Sequence, residues 1–229
     1  MEQNLALVLF GPPGSGKGTQ ASLLAHHFDL IHYDTGRFLE KFVHNPANLK
    51  TAKLKAAHAA FDRGDLLDSD IVLNIVTNQI RRLHAAGFGI VLSGSPRRPF
   101  EAFGDSKTVG LITFLERLYG RHRVYVVELI IPPDASLRRN QTRLLDPLMN
   151  LPIMGTAGHR LTTSPFTGAK LTRRRAIDNP KIIRERLEEY RRETKPLEEA
   201  FKEHGYRLIR VDGSPLPYRV FASILRRIK

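Results

Sequence analysis

Residues 11–20, GPPGSGKGTQ, form the segment whose residue types and spacing most clearly indicate chemistry. Its glycines free the backbone to turn so that successive N–H groups point at one anion, and the helix predicted to follow adds partial positive charge at its N-terminus. Lys17 supplies a mobile ammonium for the outer phosphates of a nucleotide. The strict pattern has Ser or Thr directly after this Lys, whereas here Gly18 follows and Thr19 carries the hydroxyl. The segment predicts a nucleotide-phosphate site.

Short apolar runs alternate with helical periodicity along the chain, and these elements must position the loop. We predict strands at 5–10, 30–33, 89–92, 124–131 and 207–211, and helices at 17–28, 36–43, 48–62, 69–85, 108–119, 134–143, 179–204 and 215–228. Asp68 or Ser69 is the expected N-cap of the 69–85 helix, and Asp134 that of the 134–143 helix. Strands that are apolar throughout indicate an α/β fold with a doubly wound parallel sheet, in which ligands bind beyond the carboxyl ends of the strands.

The composition limits the classes of function. Of the formal net charge of +13, residues 1–110 carry +2 and residues 111–229 carry +11. Such a field attracts polyanions, which include nucleic acid, anionic lipid and phosphorylated small molecules. The absence of cysteine excludes disulfides, thiol catalysis and thiolate-ligated metals. With no long apolar run and no secretory signal, we expect a cytoplasmic monomer that does not enter a membrane.

Segments along nearly the whole chain resemble those of adenylate kinases, in the correct order. They are GPPGSGKGTQA at 11–21, DTGRFLE at 34–40, RGDLLDSDIV at 63–72, GFGIVLSGSPR at 87–97, RRNQTR at 138–143, TGAKLTRR at 167–174, IRERLEEYRRETKPL at 183–197 and RVDGS at 210–214. Each segment alone is a weak signal, but the ordered set is strong. The chain therefore resembles a divergent adenylate kinase-like nucleoside monophosphate kinase.

The resemblance implies a three-part organisation around a five-stranded parallel sheet. The phosphate-loop core comprises residues 1–33, 86–143 and 174–229. Residues 34–85 form a helical insertion that binds the nucleoside monophosphate, and residues 144–173 form a lid. The implied reaction transfers the γ-phosphoryl group of ATP to AMP or another nucleoside monophosphate, giving ADP and a nucleoside diphosphate. Catalysis of this kind consists of positioning, electrostatic stabilisation and exclusion of water.

The resemblance also implies the site residues. The catalytic set is Lys17, Arg97, Arg143, Arg174 and Arg186. The ATP-binding set is Gly14, Ser15, Gly16, Lys17, Gly18, Thr19, Arg139, Arg143 and Gly213, and the acceptor-binding set is Thr35, Leu67, Gly94, Arg97 and Glu101. Mg²⁺ would be bound with ATP, without a direct protein ligand that the sequence identifies.

The sequence departs from the family pattern around the acceptor site. Glu40 stands where the family has Arg, so that either Lys41 or Arg37 takes that role or the acceptor sits differently. Glu101 stands where the family has a base-reading Gln. An ionised carboxylate only accepts hydrogen bonds, which weakens discrimination for adenine and makes GMP or CMP an alternative acceptor. We nevertheless place AMP first.

A second departure concerns metal binding. Ser93 replaces the Asp that normally ends the third strand and orders Mg²⁺ through water, and Asp34 either compensates or only caps a turn. The nine histidines, including His159, show no helical His pair and no carboxylate partner at ligand spacing. We therefore expect no metal site on the protein itself.

Two other classes of function remain open on the sequence. The first is a phosphate-loop ATPase or switch on the same scaffold that binds RNA through the basic second half. Against it, aromatic residues are not clustered with the cations, as single-strand recognition favours. The second is a non-catalytic nucleotide-binding subunit, which the retention of Lys17 and the arginine set disfavours.

Overall fold

The structure is a computed structural model that describes residues 4–149, 151–153, 161–173 and 179–228. Its strands are β1 (Ala6–Phe10), β2 (Ile31–Asp34), β3 (Ile90–Ser93), β4 (Val124–Ile130), β5 (Leu144–Asp146), β6 (Leu151–Ile153) and β7 (Leu208–Asp212). Five of them form one all-parallel sheet in the order β2-β3-β1-β4-β7, while β5 and β6 pair antiparallel. The predicted α/β class with a five-stranded parallel sheet is confirmed.

Ten α-helices surround the strands in the described part of the chain. They are α1 (Lys17–Phe28), α2 (Thr35–Val43), α3 (Ala52–Arg63), α4 (Ser69–Ala85), α5 (Pro99–Phe103), α6 (Leu111–Tyr119), α7 (Pro133–Thr142), α8 (Pro180–Glu189), α9 (Leu197–Glu203) and α10 (Pro217–Leu225). Among the described residues, none of these helices has the length and apolar character needed to cross a membrane.

Strand β1 shows why the sheet is covered on both faces. All five of its residues are buried, and alternate side chains point to opposite faces. Ala6, Val8 and Phe10 belong to a core formed with α2–α6 and α9, while Leu7 and Leu9 belong to a second core formed with α1 and α10. An uninterrupted apolar strand is therefore required at this position.

Two helices begin three or more residues later than predicted, because polar side chains cap them or form turns nearby. The helix predicted from residue 48 begins at Ala52, where Thr51 accepts a hydrogen bond from Leu54 N, and residues 46–48 form a separate 3₁₀ turn. The helix predicted from residue 108 begins at Leu111, since the Asp105 carboxylate holds the preceding residues in a turn. Asp68 is confirmed as the cap of α4.

The predicted single helix over 179–204 is wrong. Helix α8 passes into a π-helical turn at Tyr190–Thr194, closed by a 2.8 Å hydrogen bond from Lys195 N to Tyr190 O, and α9 begins after it. Pro196 explains the interruption, since proline has no N–H to continue the helical hydrogen bonds. Asp134 does not cap α7 as predicted; Pro132 occupies the N-cap and Asp134 lies in the first turn.

The region after α7 has its own small framework. Strands β5 and β6 form a hairpin, and isolated bridges join Leu145 to Thr172 and Thr163 to Lys170. The buried Asp146 carboxylate accepts hydrogen bonds from Leu148 N and from Thr167 Oγ1. The division of the chain into a core, an acceptor region and a lid stays a prediction.

Candidate functional site

The glycine-rich loop lies between β1 and α1, at the carboxyl edge of the sheet. Gly14 has a φ of 74°, and a Cβ there would lie 2.5 Å from Nδ2 of Asn140, so no larger residue fits. Gly16 is the N-cap of α1, which directs the first N–H groups of that helix into the loop. The Ser15 hydroxyl is buried and has no hydrogen-bond partner in the described residues. The loop therefore presents N–H groups and one unpaired hydroxyl, which suits a phosphate.

Helix α7 supports this loop from outside. Ser136 Oγ donates a hydrogen bond of 2.5 Å to Pro13 O, and Asn140 Nδ2 donates one of 2.8 Å to Ser136 O. Both side chains are buried although they are polar. The sequence analysis missed them, and the available signal was a pair of small polar residues four positions apart on one helix face.

Arg139 connects the loop to the turn after β7. Its Nη1 donates to Gly213 O at 2.7 Å and its Nη2 donates to Ser214 O at 2.6 Å. A Cβ on Gly213 would lie 2.7 Å from the Ser15 carbonyl oxygen, so the two loops touch through backbone. The structure thus brings together Arg139, Gly213 and the loop residues that were predicted to bind ATP.

Lys17 lies where the predicted catalytic cations meet. Its Nζ donates to the carbonyl oxygens of Gly11 (2.8 Å) and Pro12 (2.9 Å). Burial, followed by repulsion from nearby guanidinium groups, lowers the pKa of Lys17 to about 7. Those groups are Arg97, Arg186 and Arg143, and the Asp34 carboxylate opposes them. Arg174 lies outside the described residues.

A pocket beside these cations contains all five predicted acceptor-binding residues. Its lining is Thr35, Gly36, Leu39, Phe61, Asp65, Leu66, Leu67, Val72, Gly94, Ser95, Arg97 and Glu101. The cavity measures about 50 Å³, which is room for a part of a nucleotide. The sequence analysis missed Phe61 and Asp65, which come from α3 and the turn after it, because nothing in their spacing distinguishes them from ordinary core and turn residues.

Two residues of the pocket, Arg97 and Glu101, are hydrogen-bonded to each other through the backbone of one and the side chain of the other. Glu101 Oε2 accepts a 2.7 Å hydrogen bond from the Arg97 backbone N, and Oε1 accepts one of 3.2 Å from Ser69 Oγ. Burial raises the pKa of the Glu101 carboxyl above its ordinary value. Arg97 itself donates from Nε to Gly94 O at 3.0 Å. Arg97 therefore belongs both to the pocket and to the cations around Lys17.

Thr35 offers the pocket a hydrogen-bonding group. Its side chain is buried, and Oγ1 has no hydrogen-bond partner among the described residues. An unpaired buried hydroxyl is unfavourable, so a ligand that bonds to it gains the corresponding free energy. Glu40, by contrast, is exposed and does not line the pocket, and the same holds for Arg37 and Lys41.

The ends of β2 and β3 place Asp34 beside Ser93. The two residues are register partners in the sheet. Asp34 caps α2 by accepting a hydrogen bond from Arg37 N at 3.2 Å, and its charge also acts on Lys17. It therefore both caps the turn and contributes a carboxylate to the site. Ser93 Oγ lies 2.8 Å from Nε2 of His32 and is hydrogen-bonded to it.

The expectation that no histidine has a carboxylate partner at ligand spacing is wrong for His58. His58 and Asp62 lie one helical turn apart on α3, which is a ligand spacing, and the fold brings His44 beside them. The three side chains could hold a metal ion, since one ligand atom from each lies within 4.8 Å of the other two. His159 lies outside the described residues.

Comparison with known proteins agrees with this geometry. A family model described as adenylate kinase matches residues 9–206. The chain is 33% identical to the adenylate kinase of Pelobacter propionicus over 231 residues, covering 97% of this chain and 95% of that protein. It is 32% identical to the adenylate kinase of Chlamydia pneumoniae over 230 residues, covering 100% and 99%. It is 31% identical to that of Nitrobacter winogradskyi over 216 residues, covering 91% and 85%.

Proposed function

This chain belongs to the adenylate kinase family and is an ATP-dependent nucleoside monophosphate kinase, and we propose that AMP is its acceptor. The observation that carries the proposal is that Thr35, Leu67, Gly94, Arg97 and Glu101 line one pocket, whose Arg97 also acts on Lys17. An acceptor phosphate at Arg97 would thus lie next to the donor loop.

The roles that we propose for the cationic residues follow from their charge. Transfer of a phosphoryl group between two nucleotides brings polyanions together and spreads negative charge over the transferred oxygens. The guanidinium groups of Arg97, Arg186 and Arg143 repel the Lys17 ammonium, and this repulsion adds to the effect of burial in lowering the pKa of Lys17. A bound phosphoryl group converts that repulsion into attraction, and in a dry site the attraction is strong.

The family uses Mg²⁺ with ATP, and the donor groups here fit a hard cation. The Ser15 hydroxyl is buried and has no hydrogen-bond partner in the described part of the chain, and the Asp34 carboxylate lies near Lys17, so oxygen ligands are present at the phosphate loop. When bound, the ion would neutralise charge on the donor phosphates. Thr19 supplies a further hydroxyl, and Asp34 would take the role of the carboxylate that Ser93 replaces.

Glu101 would read the adenine base in its protonated form. A protonated carboxyl offers one donor, its O–H, and one acceptor oxygen. The amide of Gln likewise offers a donor, its N–H, beside an acceptor oxygen. It can accept from the N6 amine of adenine and donate to N1. The burial that raises the pKa of Glu101 favours this form, and the ionised form would instead suit the two adjacent donors of guanine.

We assign closure over the site to residues 144–173, which Arg174 follows directly in the sequence. The β5–β6 hairpin follows directly after Arg143, so a movement of this region would carry that guanidinium with it. Closure would exclude water, which otherwise accepts the phosphoryl group. We further propose that the protein acts as a cytoplasmic monomer.

The test is a coupled assay that offers ATP with AMP, GMP, CMP, UMP and dAMP in turn. We expect AMP to give the highest kcat/KM, and another preferred acceptor would overturn the proposal. The same panel on Glu101→Gln shows whether Glu101 reads the base, since an unchanged strong preference for AMP would exclude that role. The alternative of an RNA-binding ATPase predicts instead ATP hydrolysis without any acceptor, raised by RNA and sensitive to salt.

A further inference from the structure

Three side chains of the acceptor region converge on a single point away from the pocket. His44 follows α2, whereas His58 and Asp62 lie on α3. Nε2 of His44 lies 3.0 Å from Asp62 Oδ1, and Nε2 of His58 lies 3.4 Å from Asp62 Oδ2. None of the three lines the acceptor pocket. We propose that His44, His58 and Asp62 form a binding site for one divalent transition-metal ion of the Zn²⁺ class.

The hydrogen bonding of His44 supports a cation at this point. Nδ1 of His44 lies 2.7 Å from the backbone carbonyl oxygen of Glu40, which can only accept, so the proton is on Nδ1. In the neutral ring Nε2 then carries a lone pair, and this lone pair faces the Asp62 carboxylate. Two lone pairs at 3.0 Å repel unless a proton or a metal ion lies between them.

The same hydrogen bond is a typical feature of metal sites. A ligating histidine usually donates its second ring N–H to a carbonyl or carboxylate, which fixes the ring and its tautomer. Here the partner of His44 is a backbone oxygen in the preceding turn of the chain. The ring is therefore already held in the orientation that directs Nε2 towards the Asp62 carboxylate, where a ligated ion would lie.

The ligand set indicates which metals fit. Two imidazole nitrogens and one carboxylate oxygen suit Zn²⁺ and neighbouring transition metals, while Mg²⁺ and Ca²⁺ prefer oxygen ligands alone. In a tetrahedral Zn²⁺ site, bonds of about 2.0–2.1 Å place ligand atoms roughly 3.3 Å apart. The distances of 3.0 and 3.4 Å run from the two imidazoles to different oxygens of Asp62, and one ligand atom from each of the three residues lies within 4.8 Å of the others, so a small movement of the side chains brings them to that separation. Because the His44 and Asp62 side chains are 44% and 54% exposed, water can supply the fourth ligand.

The site would connect the two helices that form one wall of the acceptor pocket. The ring of His44 packs edge-on against Phe61 at 6.0 Å between centroids, and Phe61 lines the pocket. A metal ion would link the end of α2 to α3 across the intervening turn and hold Phe61 in place. This second effect rests on the proposed function, whereas metal binding itself does not.

Metal binding is tested on the full chain, freed of metal with a chelator and kept without nucleotide, because nucleotides bind Zn²⁺ themselves. Titration calorimetry with ZnCl₂ should give one Zn²⁺ per chain, and Co²⁺ should produce the visible absorption of a tetrahedral site. His58→Ala and Asp62→Asn should each weaken binding at least about tenfold. Both substitutions fall on the surface of a helix, and thermal unfolding confirms that each variant is folded.

His26→Ala is the matched control, since His26 is another exposed helical histidine, in the last turn of α1. It should leave Zn²⁺ affinity unchanged. The proposal is overturned if the protein binds no Zn²⁺ saturably, or if both site variants bind it as tightly as the unaltered chain. A change in the KM for AMP with Zn²⁺, absent in His58→Ala, would test the link to the pocket. If the KM does not change but Zn²⁺ binds as expected, only the link to the pocket is overturned and the proposal of a metal site is not.

Discussion

His32 on β2 is hydrogen-bonded to Ser93 on the neighbouring strand, with 2.8 Å between Nε2 and Oγ, and its Nδ1 lies 3.1 Å from Ser22 Oγ. Burial is the main cause that lowers the pKa of His32, so the ring is neutral near pH 7 and bridges two hydroxyls. At the position where the family has a carboxylate, this protein therefore has an uncharged hydrogen-bonded network. Asp34 is the register partner of Ser93 and supplies a carboxylate beside this position.

The first prediction concerns that missing charge. Ser93→Asp should lower the Mg²⁺ concentration that gives half-maximal activity, because a second carboxylate beside Asp34 attracts the dication and its water. The measurement is a Mg²⁺ titration at saturating ATP. Ser93→Ala is the control, since it removes the hydroxyl without adding charge. An unchanged titration for Ser93→Asp would mean that Asp34 already supplies all that the ion needs.

The second prediction concerns Lys17. Lys17→Ala should lower kcat by about 10²–10³-fold, because the ammonium that we propose to contact the transferred phosphoryl group is lost. Initial rates and a circular dichroism spectrum separate this loss from unfolding. Lys202→Ala should keep full activity, since Lys202 is exposed and pairs only with Glu199 in the described contacts. Near-normal turnover of Lys17→Ala with any nucleotide pair would contradict its assignment.

The third prediction concerns Arg143 and Arg186, which both act electrostatically on Lys17. Each single Ala variant should lose about 10²-fold or more in kcat. The double variant should lose less than the product of the two, because the cations act as one unit on one phosphoryl group. A double-mutant cycle measures the difference. Small and independent losses would show that these are ordinary surface charges; Arg227→Ala gives the scale for such a charge.

The fourth prediction concerns the protonation of Glu101. Burial raises the pKa of this carboxyl, so the protonated, Gln-like form is favoured at low pH and is lost as the pH rises through that raised value. The ratio of kcat/KM for AMP to that for GMP should therefore fall as the pH rises above the range in which an ordinary Glu carboxyl titrates. Glu101→Gln should give a flat ratio over the same pH range. A ratio in the unaltered enzyme that does not depend on pH would show that Glu101 does not read the base.

The fifth prediction concerns stability. Glu128 on β4 is 3% exposed and lies 2.9 Å, Oε2 to Nε, from Arg210 on β7. Burial, and then the nearby Glu198 carboxylate, raise the pKa of Glu128 to about 7. The folded state therefore keeps a proton that the unfolded chain releases near pH 4.5, and the free energy of unfolding falls as pH rises between these values. Glu128→Gln should remove roughly 1–3 kcal/mol of this dependence.

Urea denaturation at pH 5 and pH 7.5 measures that dependence directly. The difference between the two pH values is taken for each protein, and the variant's difference is then subtracted from that of the unaltered chain, so that the other titrating groups cancel. Asp105→Asn is a suitable control, because Asp105 is exposed and has its pKa lowered by backbone N–H groups instead. An identical difference in Glu128→Gln and the unaltered chain would place the proton elsewhere.

Elements with strong local signals were predictable from the sequence. The bounds of α1 and α4 agree with the prediction, because a glycine-rich loop and an Asp cap mark their starts and apolar residues recur at helical spacing. Helix α5 was missed, since five residues are too few to show a period. The break after α8 was missed although Pro196 is its visible cause.

The residues of the candidate site also differ in how far the sequence predicts them. Thr35 and Arg97 were predicted through the ordered resemblance to a family, because its segments specify positions that no local pattern specifies. Ser136 was missed because its role depends on a contact with Pro13, 123 positions away in the sequence. The cluster of His44, His58 and Asp62 was missed for a similar reason. His44 reaches the other two residues only because of the path of the chain between α2 and α3.

The sheet order has a consequence for how this protein is made. Strand β1 is the first strand of this sequence and the innermost of the sheet, with β3 and β4 on its two sides. A ribosome therefore releases an apolar strand long before either neighbour is synthesised, and both of its edges stay open to other nascent chains in that interval. Only when β4 emerges can the sheet close. A chain that stops before residue 124 leaves one edge of this buried, apolar strand without a partner, which is the feature that favours pairing with another chain.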